Sequence, residues 1–293
     1  MTQQDNAKRG FVYAATGSAV YTELAIRSAH SLKEQCPDLP IDLFTDKPVE
    51  DSIFDKVYIL GNSWFRAKID ALKNSRFDES IFIDSDTLIV GNLADAFFLL
   101  KKNDIALVHD QGRNSRQGRS SLDICFPESF PALNSGVIAL RKNAKTDKLL
   151  TNWKNRIQEK QQQKDQPALR ELLWQSDLAL AILPPEYNMM HLHLLDVFSY
   201  KQGIPKVIHS PKLHRHQNGS DSPITSLLEL LGPSRLLRFQ YQRHLAGAPV
   251  LPPWLLYGNA PIQWKIKLQR TLIQAVLALK TRNSTPADWL QNT

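Results

Sequence analysis

The sequence predicts an α/β fold in which a mostly parallel, Rossmann-like sheet is flanked by helices. Across the first two thirds of its 293 residues, short apolar runs alternate with segments of helical periodicity. Such alternation is typical of parallel strands joined by crossover helices. After about Pro205 the composition changes, because Pro, Arg and His become frequent and only helical patterns continue. We therefore expect a domain of residues 1–217 and a basic, helical C-terminal extension of residues 218–293.

Each predicted element follows from the period of its apolar residues. Strands are expected in six short apolar runs, which are GFVYAAT, IDLFTD, KVYIL, ESIFID, DIALVH and SGVIAL. Helices are expected where apolar residues recur every three or four positions, at residues 19–35, 65–74, 145–164, 165–175, 224–231 and 262–279. Three predicted strands precede ESIFID, so this run is the fourth strand of the expected sheet.

Composition excludes several classes of protein. Hydrophobic residues make up 42% of the chain and charged residues 22%, which is ordinary for a globular protein and excludes a disordered one. Cys36 and Cys125 are too few for a disulfide framework and lack the spacing of a zinc site. No run of 18 apolar residues occurs, and the first ten residues lack the apolar segment of a signal peptide. We therefore expect a cytoplasmic protein that does not span a membrane.

The positive charge is concentrated in the tail. The chain has a net charge of +7, and residues 206–293 carry 11 Lys or Arg against 3 Asp or Glu. Residues 262–279 predict a basic amphipathic helix, whose apolar stripe comprises Trp264, Leu268, Leu272, Val276 and Leu279. Such a helix either docks on the rest of the protein or lies on an anionic membrane surface, here the inner membrane face. A nucleic-acid partner is not expected, because no recognition module accompanies the charge.

The most informative motif is an acidic pair at the end of the predicted fourth strand. Asp84 and Asp86 follow the apolar run Ile81–Ile83, at the strand end where open α/β sheets bind ligands. Residues two apart on a strand point the same way, so the two carboxylates either converge on one cation or divide between a metal and a ribose hydroxyl. Their oxygen atoms suit Mg²⁺ or Mn²⁺. The alternative is a strand-end turn with solvated carboxylates, since Asp favours turns.

The residues around this pair resemble a known family. The stretch from Arg66 to Phe97, RAKIDALKNSRFDESIFIDSDTLIVGNLADAF, is similar to the central block of glycosyltransferase family 8 and related nucleotide-diphospho-sugar transferases. In that block a basic residue precedes a helix, and the helix leads to a strand ending in Asp-x-Asp. The resemblance implies a GT-A fold, a divalent metal (Mn²⁺ or Mg²⁺) and a nucleotide-sugar donor, most often a UDP-sugar. It covers roughly residues 10–215, and no match is found for the acceptor side.

The resemblance also implies which residues contact the donor. FVYAATGSAVY resembles the first strand and nucleotide loop of the family, around the base, and Lys68 and Arg66 match the basic position that faces the diphosphate. A point charge or a guanidinium fork suits phosphate oxygens. Without the resemblance, Tyr21 would be read as a packing residue and Lys68 as an exposed helix cation. The residues expected to bind the donor are Ala15, Thr16, Tyr21, Arg66, Lys68, Asp84 and Ser85.

Two further segments match the family positions beside the transferred sugar. LNSGVIAL resembles the family's Asn-Ser-Gly segment, so Asn134 is expected to bind the sugar, while Gly136 permits close backbone approach. KDQPAL resembles the Asp-Gln pair near the anomeric carbon, where Asp165 binds sugar hydroxyls and Asp165 or Gln166 stabilises positive charge on the ring. The alternatives are a plain turn at Asn134 and a helix N-cap at Asp165, which Pro167 follows. The expected catalytic residues are Asn134, Asp165 and Gln166.

A histidine is expected to complete the metal site. VIHSPKLHRH places His209 after a short apolar strand, where the family supplies a third metal ligand after Asp84 and Asp86. The family continues with Gly-x-x-Lys-Pro-Trp, and this chain departs from that pattern, so His214 and His216 are alternative ligands.

The motifs together predict a metal-dependent glycosyltransferase. It would move a hexose from a nucleotide sugar, a UDP-sugar by resemblance, to a glycan or lipid-linked acceptor with retention of anomeric configuration. One alternative is a haloacid-dehalogenase-type phosphatase, whose nucleophile motif also reads Asp-x-Asp after an apolar strand but normally opens the domain. The other is a catalytically silent nucleotide-sugar-binding protein of the same fold.

Overall fold

The computed structural model describes residues 8–61, 66–116, 118–127, 129–130, 132–214, 223–258 and 274. The chain divides into two compact units, of which the first comprises residues 1–191 and 205–215 and the second residues 192–204 and 216–293. The boundary predicted near residue 217 and the predicted helix at 262–279, apart from Gln274, lie outside the described residues. The two alternatives for that helix therefore stay predictions.

A seven-stranded sheet forms the centre of the first unit. The strands of the chain are β1 Arg9–Ala15, β2 Ile41–Thr45, β3 Lys56–Ile59, β4 Glu79–Ile83, β5 Thr87–Ile89, β6 Ile105–His109, β7 Leu133–Arg141, β8 Leu180–Leu183 and β9 Val207–His209. The order in the main sheet is β3-β2-β1-β4-β7-β6-β8, and β7 alone among these described strands runs antiparallel to its neighbours. β5 and β9 pair antiparallel in a separate two-stranded sheet. The prediction of a mostly parallel sheet flanked by helices is confirmed.

The first five described helices follow the predicted order, most with shifted ends, whereas the last two were not predicted. They are α1 Ala19–Gln35, α2 Ala67–Asn74, α3 Ala144–Glu159, α4 Gln166–Gln175, α5 Leu227–Leu231, α6 Pro233–Leu245 and α7 Pro253–Tyr257. α3 ends five residues before the predicted end at residue 164, since Gln161 takes a positive φ of 49° that a helix does not accommodate. α5 starts at Leu227 rather than at residue 224 because the Ser226 hydroxyl accepts from the Glu229 N–H and caps the helix.

The main sheet is buried on both faces. Along β1, Phe11 and Tyr13 point into one apolar cluster and Val12 into the other, as alternation along a strand requires. β2 and β4 are buried at every position, which explains why they read as continuous apolar runs. Trp153 of α3 donates from its indole nitrogen to the Asp165 carbonyl at 2.9 Å, which fixes the start of α4 relative to α3. The indole of Trp153 thereby positions Asp165, the residue at which α4 begins.

The second unit contains α5, α6, α7 and a turn-rich segment, residues 192–204. Within it, the Arg235 guanidinium binds the Asp196 carboxylate, with 2.7 Å between Nε and Oδ1, and the Tyr200 N–H donates to Gln242 Oε1. These contacts join α6 to the segment before β9. In the part of the chain that the structure describes, no helix has the length and apolarity needed to cross a membrane.

Candidate functional site

The antiparallel direction of β7 brings two predicted motifs together. β7 pairs with β4 so that its first residues lie beside the last residues of β4, and the Asp84 N–H donates to the Gly136 carbonyl at 2.8 Å. The carboxyl ends of β1 and β4 lie at the same edge of the sheet because these strands are parallel. The Asn-Ser-Gly segment and the Asp-x-Asp segment therefore form one site.

A cavity of about 580 Å³ opens at this edge. It is lined by Ala14, Thr16, Gly17, Tyr21, Arg66, Ala67, Lys68, Phe82, Asp84, Ser85, Asp86 and His214. Six of the seven residues predicted to bind the donor are in this lining. The exception is Ala15, which is 1% exposed in the core, while its neighbour Ala14 faces the cavity. Successive residues of a strand point to opposite faces, so only one of the two can line it.

Three of the predicted metal ligands converge. One carboxylate oxygen each from Asp84 and Asp86 and one ring nitrogen of His209 lie within 4.8 Å of one another. Asp86 Oδ1 is 3.1 Å from His209 Nε2, and Asp86 Oδ2 is 2.9 Å from His214 Nε2. Two carboxylates and one imidazole are a donor set that suits Mn²⁺ or Mg²⁺, with further positions left for phosphate oxygens. His214 is held by Asp86 at the cavity wall, and His216 lies outside the described residues.

Asn188 orients the ring of His209. The Gly136 N–H donates to Asn134 Oδ1 at 2.8 Å, and Asn188 Nδ2 donates to the same oxygen at 2.7 Å. Asn188 Oδ1 therefore faces His209 Nδ1 at 2.8 Å and accepts its hydrogen. Hydrogen bonding at Nδ1 leaves Nε2 directed at the acidic pair, which is the arrangement that metal-binding histidines use. Asn188 is 1% exposed and no sequence motif marks it.

Position 136 requires a glycine because the His209 ring lies close to its backbone. A Cβ atom at Gly136 would lie 2.6 Å from Cε1 and 2.7 Å from Nδ1 of the His209 ring. Both distances are shorter than real contacts of this kind. The close approach predicted for Gly136 is thus to the candidate metal ligand.

Lys68 joins the acidic pair to the start of α4. Its ammonium group lies 2.9 Å from Asp84 Oδ1 and 3.4 Å from Asp165 Oδ2, and it donates to the Ser135 carbonyl and hydroxyl, both at 3.2 Å. Only 10% of the side chain is exposed. Lys68 is therefore not the exposed helix cation that residue type alone suggests.

Asp165 faces the site rather than capping its helix. It holds the N-cap position of α4 and makes no side-chain cap hydrogen bond. Its carboxylate accepts from the Ser135 hydroxyl at 2.8 Å and lies near Lys68 and Arg66. Gln166 follows as the first residue of α4 and is buried. Asn134 and Asp165 lie beside the metal group and Gln166 follows Asp165 on α4, but none of the three lines the cavity of about 580 Å³.

The charges of the site shift one another's pKa values. Burial raises the pKa of Asp84 above its usual value, and Lys68 opposes this rise. Burial has the same effect on Asp86, but His209 and His214 outweigh it and hold the pKa of Asp86 well below its usual range. Burial lowers the pKa of Lys68, and the carboxylates of Asp84 and Asp165 more than compensate, so its pKa is raised. Lys68 therefore stays positively charged beside the cavity.

The other end of the cavity is formed by the loop after β1. Gly17 has a φ of +88°, and its N–H donates to Asp46 Oδ2 at 2.8 Å, so the loop turns sharply before α1. Tyr21, on the first turn of α1, is 40% exposed and packs edge-on against His214 with 5.2 Å between ring centroids. Together with Thr16 these residues offer polar and aromatic surface, which suits a nucleoside.

The comparisons with known proteins agree with this arrangement. Residues 75–209, which include the acidic pair, Asn134, Asp165 and His209, match a family described as nucleotide-diphospho-sugar transferase. The glycosyltransferase class predicted from the resemblance is thus confirmed at the level of the family, and the match does not favour the phosphatase alternative. No match to this chain is found among the curated proteins.

Two solved glycosyltransferase structures share the fold of this chain. The galactosyltransferase LgtC, in complex with donor and acceptor sugar analogues, superimposes with a TM-score of 0.54 at 13% identity, over 84% of this chain and 98% of LgtC. The glycosyltransferase GlyE of Streptococcus pneumoniae gives a TM-score of 0.52 at 16% identity, over 92% of this chain and 64% of GlyE. The GT-A fold is therefore confirmed.

Proposed function

We propose that the protein is a metal-dependent glycosyltransferase that moves a hexose from a UDP-sugar to a glycan or lipid-linked acceptor, with retention of configuration. The observation that carries this proposal is the convergence of Asp84, Asp86 and His209. The two aspartates line the cavity together with Lys68 and Arg66. The family match and the GT-A fold support a nucleotide-sugar donor. UDP as the nucleotide, the metal and retention rest on the resemblance of the motifs.

Asp84, Asp86 and His209 would hold the metal, Mn²⁺ or Mg²⁺, which as a Lewis acid stabilises negative charge on the departing diphosphate. Lys68 is buried and positively charged beside Asp84, so it adds a second positive charge for the same oxygens. A charge fixed in a partly buried site stabilises the transition state without the reorganisation that water requires.

The polar residues beside the metal group would hold the sugar. Asn134 has both side-chain groups fixed, since Oδ1 accepts two hydrogen bonds and Nδ2 lies 2.9 Å from Met190 Sδ. The pKa of the Asp165 carboxyl is lowered, because Lys68 and Arg66 outweigh the effect of burial. Asp165 is therefore ionised, and with Gln166 it is suited to stabilise positive charge that develops on the sugar ring.

Thermal stability in the presence of nucleotides tests this proposal. UDP, GDP, CDP and TDP are each added to the full chain with and without Mn²⁺, and the melting temperature is measured. We expect UDP to raise it in a metal-dependent way, because a ligand that binds the folded state stabilises it. Asp86→Ala should abolish the shift, while Asp38→Ala, in an exposed turn away from the site, should retain it. Equal UDP shifts in Asp86→Ala and the wild type would overturn the proposed site.

A further inference from the structure

A second cavity, of about 460 Å³, lies in the first unit at the loop between β6 and β7. Three arginines line it, which are Arg113 and Arg119 of the loop and Arg170 of α4. No acidic side chain is part of its described lining, and within the described part of the chain no carboxylate pairs with these three guanidinium groups. Within the described residues, the cavity therefore concentrates positive charge that no paired carboxylate neutralises.

Arg170 is the buried member of these three arginines. The residue is 6% exposed, and its guanidinium carbon lies 4.3 Å from the centroid of the Phe126 ring. It donates to the carbonyls of Phe130 and of Gly118, the latter at 3.5 Å, whereas none of the described residues accepts a hydrogen bond from its Nε. Burial lowers the pKa of Arg170. A buried cation without an acidic partner is costly, so a ligand that supplies the negative charge would be bound strongly here.

The loop that forms the cavity wall is held in place. The Glu171 carboxylate accepts from the N–H groups of Leu122, Asp123 and Ile124 at 2.7, 2.5 and 3.0 Å. On the other side of the loop, a Cβ at Gly118 would lie 2.3 Å from the Gly112 carbonyl oxygen, so the backbone packs closely there. These contacts hold the backbone at Gly118 and at residues 122–124, on either side of Arg119, so a ligand need not order this part of the wall to bind.

The cavity lies beside the residues proposed to hold the sugar. Ala132 lines it, and Asn134 follows two residues later at the start of β7. Arg170 is one turn after Gln166 on α4. Phe126 adds an aromatic face to the lining, which offers apolar surface to the CH groups of a sugar ring. The diphosphate and nucleoside, by contrast, are assigned to the other cavity.

We propose that this cavity binds the acceptor through an anionic substituent, a phosphate or a carboxylate, carried next to a sugar ring. The guanidinium forks of Arg113, Arg119 and Arg170 match the oxygen atoms of such a group, and Phe126 packs against the ring. This inference rests on the proposed function and specifies its acceptor class.

Calorimetric titration of the full chain tests the inference with four probes, which are glucose 6-phosphate, glucuronic acid, glucose and inorganic phosphate. We expect both anionic sugars to bind at least tenfold more tightly than glucose, and glucose 6-phosphate more tightly than inorganic phosphate. Arg113→Gln and Arg119→Gln should each weaken binding of glucose 6-phosphate about fivefold or more, since each removes a charge-assisted hydrogen bond. Arg116→Gln, on the same exposed loop but outside the lining, is the matched control and should bind as the wild type does.

The outcomes separate this inference from the proposed function. Equal affinity for glucose and glucose 6-phosphate, wild-type affinity in both variants, or displacement of glucose 6-phosphate by UDP would each overturn the anionic cavity. If inorganic phosphate binds as tightly as glucose 6-phosphate, the cavity does not recognise the sugar ring, and that part of the inference is overturned. UDP with Mn²⁺ is titrated into the same proteins, and unchanged UDP binding in the arginine variants supports two separate sites. Failure of UDP to bind the wild type would overturn the proposed function, even if the anionic sugars bind.

Discussion

At the scale of single residues, the site depends on how His209 is held. Its Nδ1 faces Asn188 Oδ1 at 2.8 Å, and the Asn188 amide is oriented in turn by Asn134. The ring also packs against Gly136. Neither contact involves a carboxylate of the acidic pair, yet both determine where Nε2 points. Two variants test these contacts separately.

Gly136→Ala should weaken metal binding. The added methyl group overlaps the His209 ring, whose Cε1 would be 2.6 Å away, so the ring must move from the acidic pair. We expect affinity for Mn²⁺, measured by calorimetry or electron paramagnetic resonance, to fall about tenfold or more. Gly61→Ala is the control because nothing lies within 4 Å of a Cβ at that position. Equal Mn²⁺ affinity in the two variants would contradict the assignment of His209.

Asn188→Ala should also reduce Mn²⁺ affinity, by about 10- to 100-fold, because the hydrogen bond that sets the tautomer and direction of His209 is lost. A melting curve without metal measures the separate structural effect of removing a buried amide. Asn74→Ala, which removes an exposed amide on α2, provides the comparison. A loss of stability in Asn188→Ala without a change in Mn²⁺ affinity would show that Asn188 serves only the fold.

The sequence motifs identify the candidate ligands of the site but not the residues that orient them. Asp84, Asp86, Lys68, Asn134 and Asp165 stand in motifs whose order along the chain resembles a family. Asn188 has no such motif, because its role arises from the approach of two distant segments in space. Its burial and its two side-chain partners become apparent only in the structure.

At the scale of the elements, α4 links the two cavities. Its N-terminus carries Asp165 and Gln166 beside the metal group, and Arg170 and Glu171 follow one turn later to hold the loop between β6 and β7. The start of α4 is fixed by the indole of Trp153. A change at Glu171 should therefore affect the loop while leaving the metal group in place.

Glu171 should make stability depend on pH. Burial raises the pKa of its carboxyl, but the N–H groups of residues 122–124 and Arg156 more than compensate, so the pKa lies below the ordinary 4.5. A lowered pKa means that the stabilisation is fully present above about pH 4.5 and is lost as the pH falls through the pKa of the folded state. Denaturant unfolding between pH 7 and pH 3 measures this loss.

Glu171→Gln provides the comparison for that measurement. It should lower the free energy of unfolding at pH 7 by about 1–3 kcal/mol, because charge-assisted hydrogen bonds become weaker neutral ones. The variant should also lose less stability than the wild type on acidification, and amide exchange at residues 122–124 should be faster. An identical pH dependence in both proteins would rule out Glu171 as the group responsible.

The elements could be predicted where periodicity is strong. α1 lies at residues 19–35 as expected, and β4 ends where the acidic pair begins. β5 and β8 were not predicted. β5 has only three residues, whereas the apolar run of residues 178–183, which contains the partly buried β8, was not interpreted as a strand. The antiparallel direction of β7 is likewise invisible in its apolar pattern, although it brings Asn134 and Gly136 to the site.

At the scale of the molecule, the first unit contains every described residue of both proposed sites. One cavity is lined by carboxylates, a lysine, an arginine and a histidine, and the other by three arginines with no acidic side chain in its described lining. Under the two proposals, this difference in chemistry would separate a metal-bound diphosphate from an acceptor anion. Half of the excess positive charge in residues 206–293 lies outside the described residues, and its partner stays a prediction.

The central claim is that Asp84, Asp86 and His209 hold a cation that contacts the diphosphate of the donor. Crystals grown with Mn²⁺ and UDP, measured at the manganese absorption edge, test it most directly. We predict an anomalous peak within about 2.5 Å of an oxygen of each aspartate and of His209 Nε2, with diphosphate oxygens as further ligands. A bound UDP with manganese elsewhere, or with no manganese, would contradict the account.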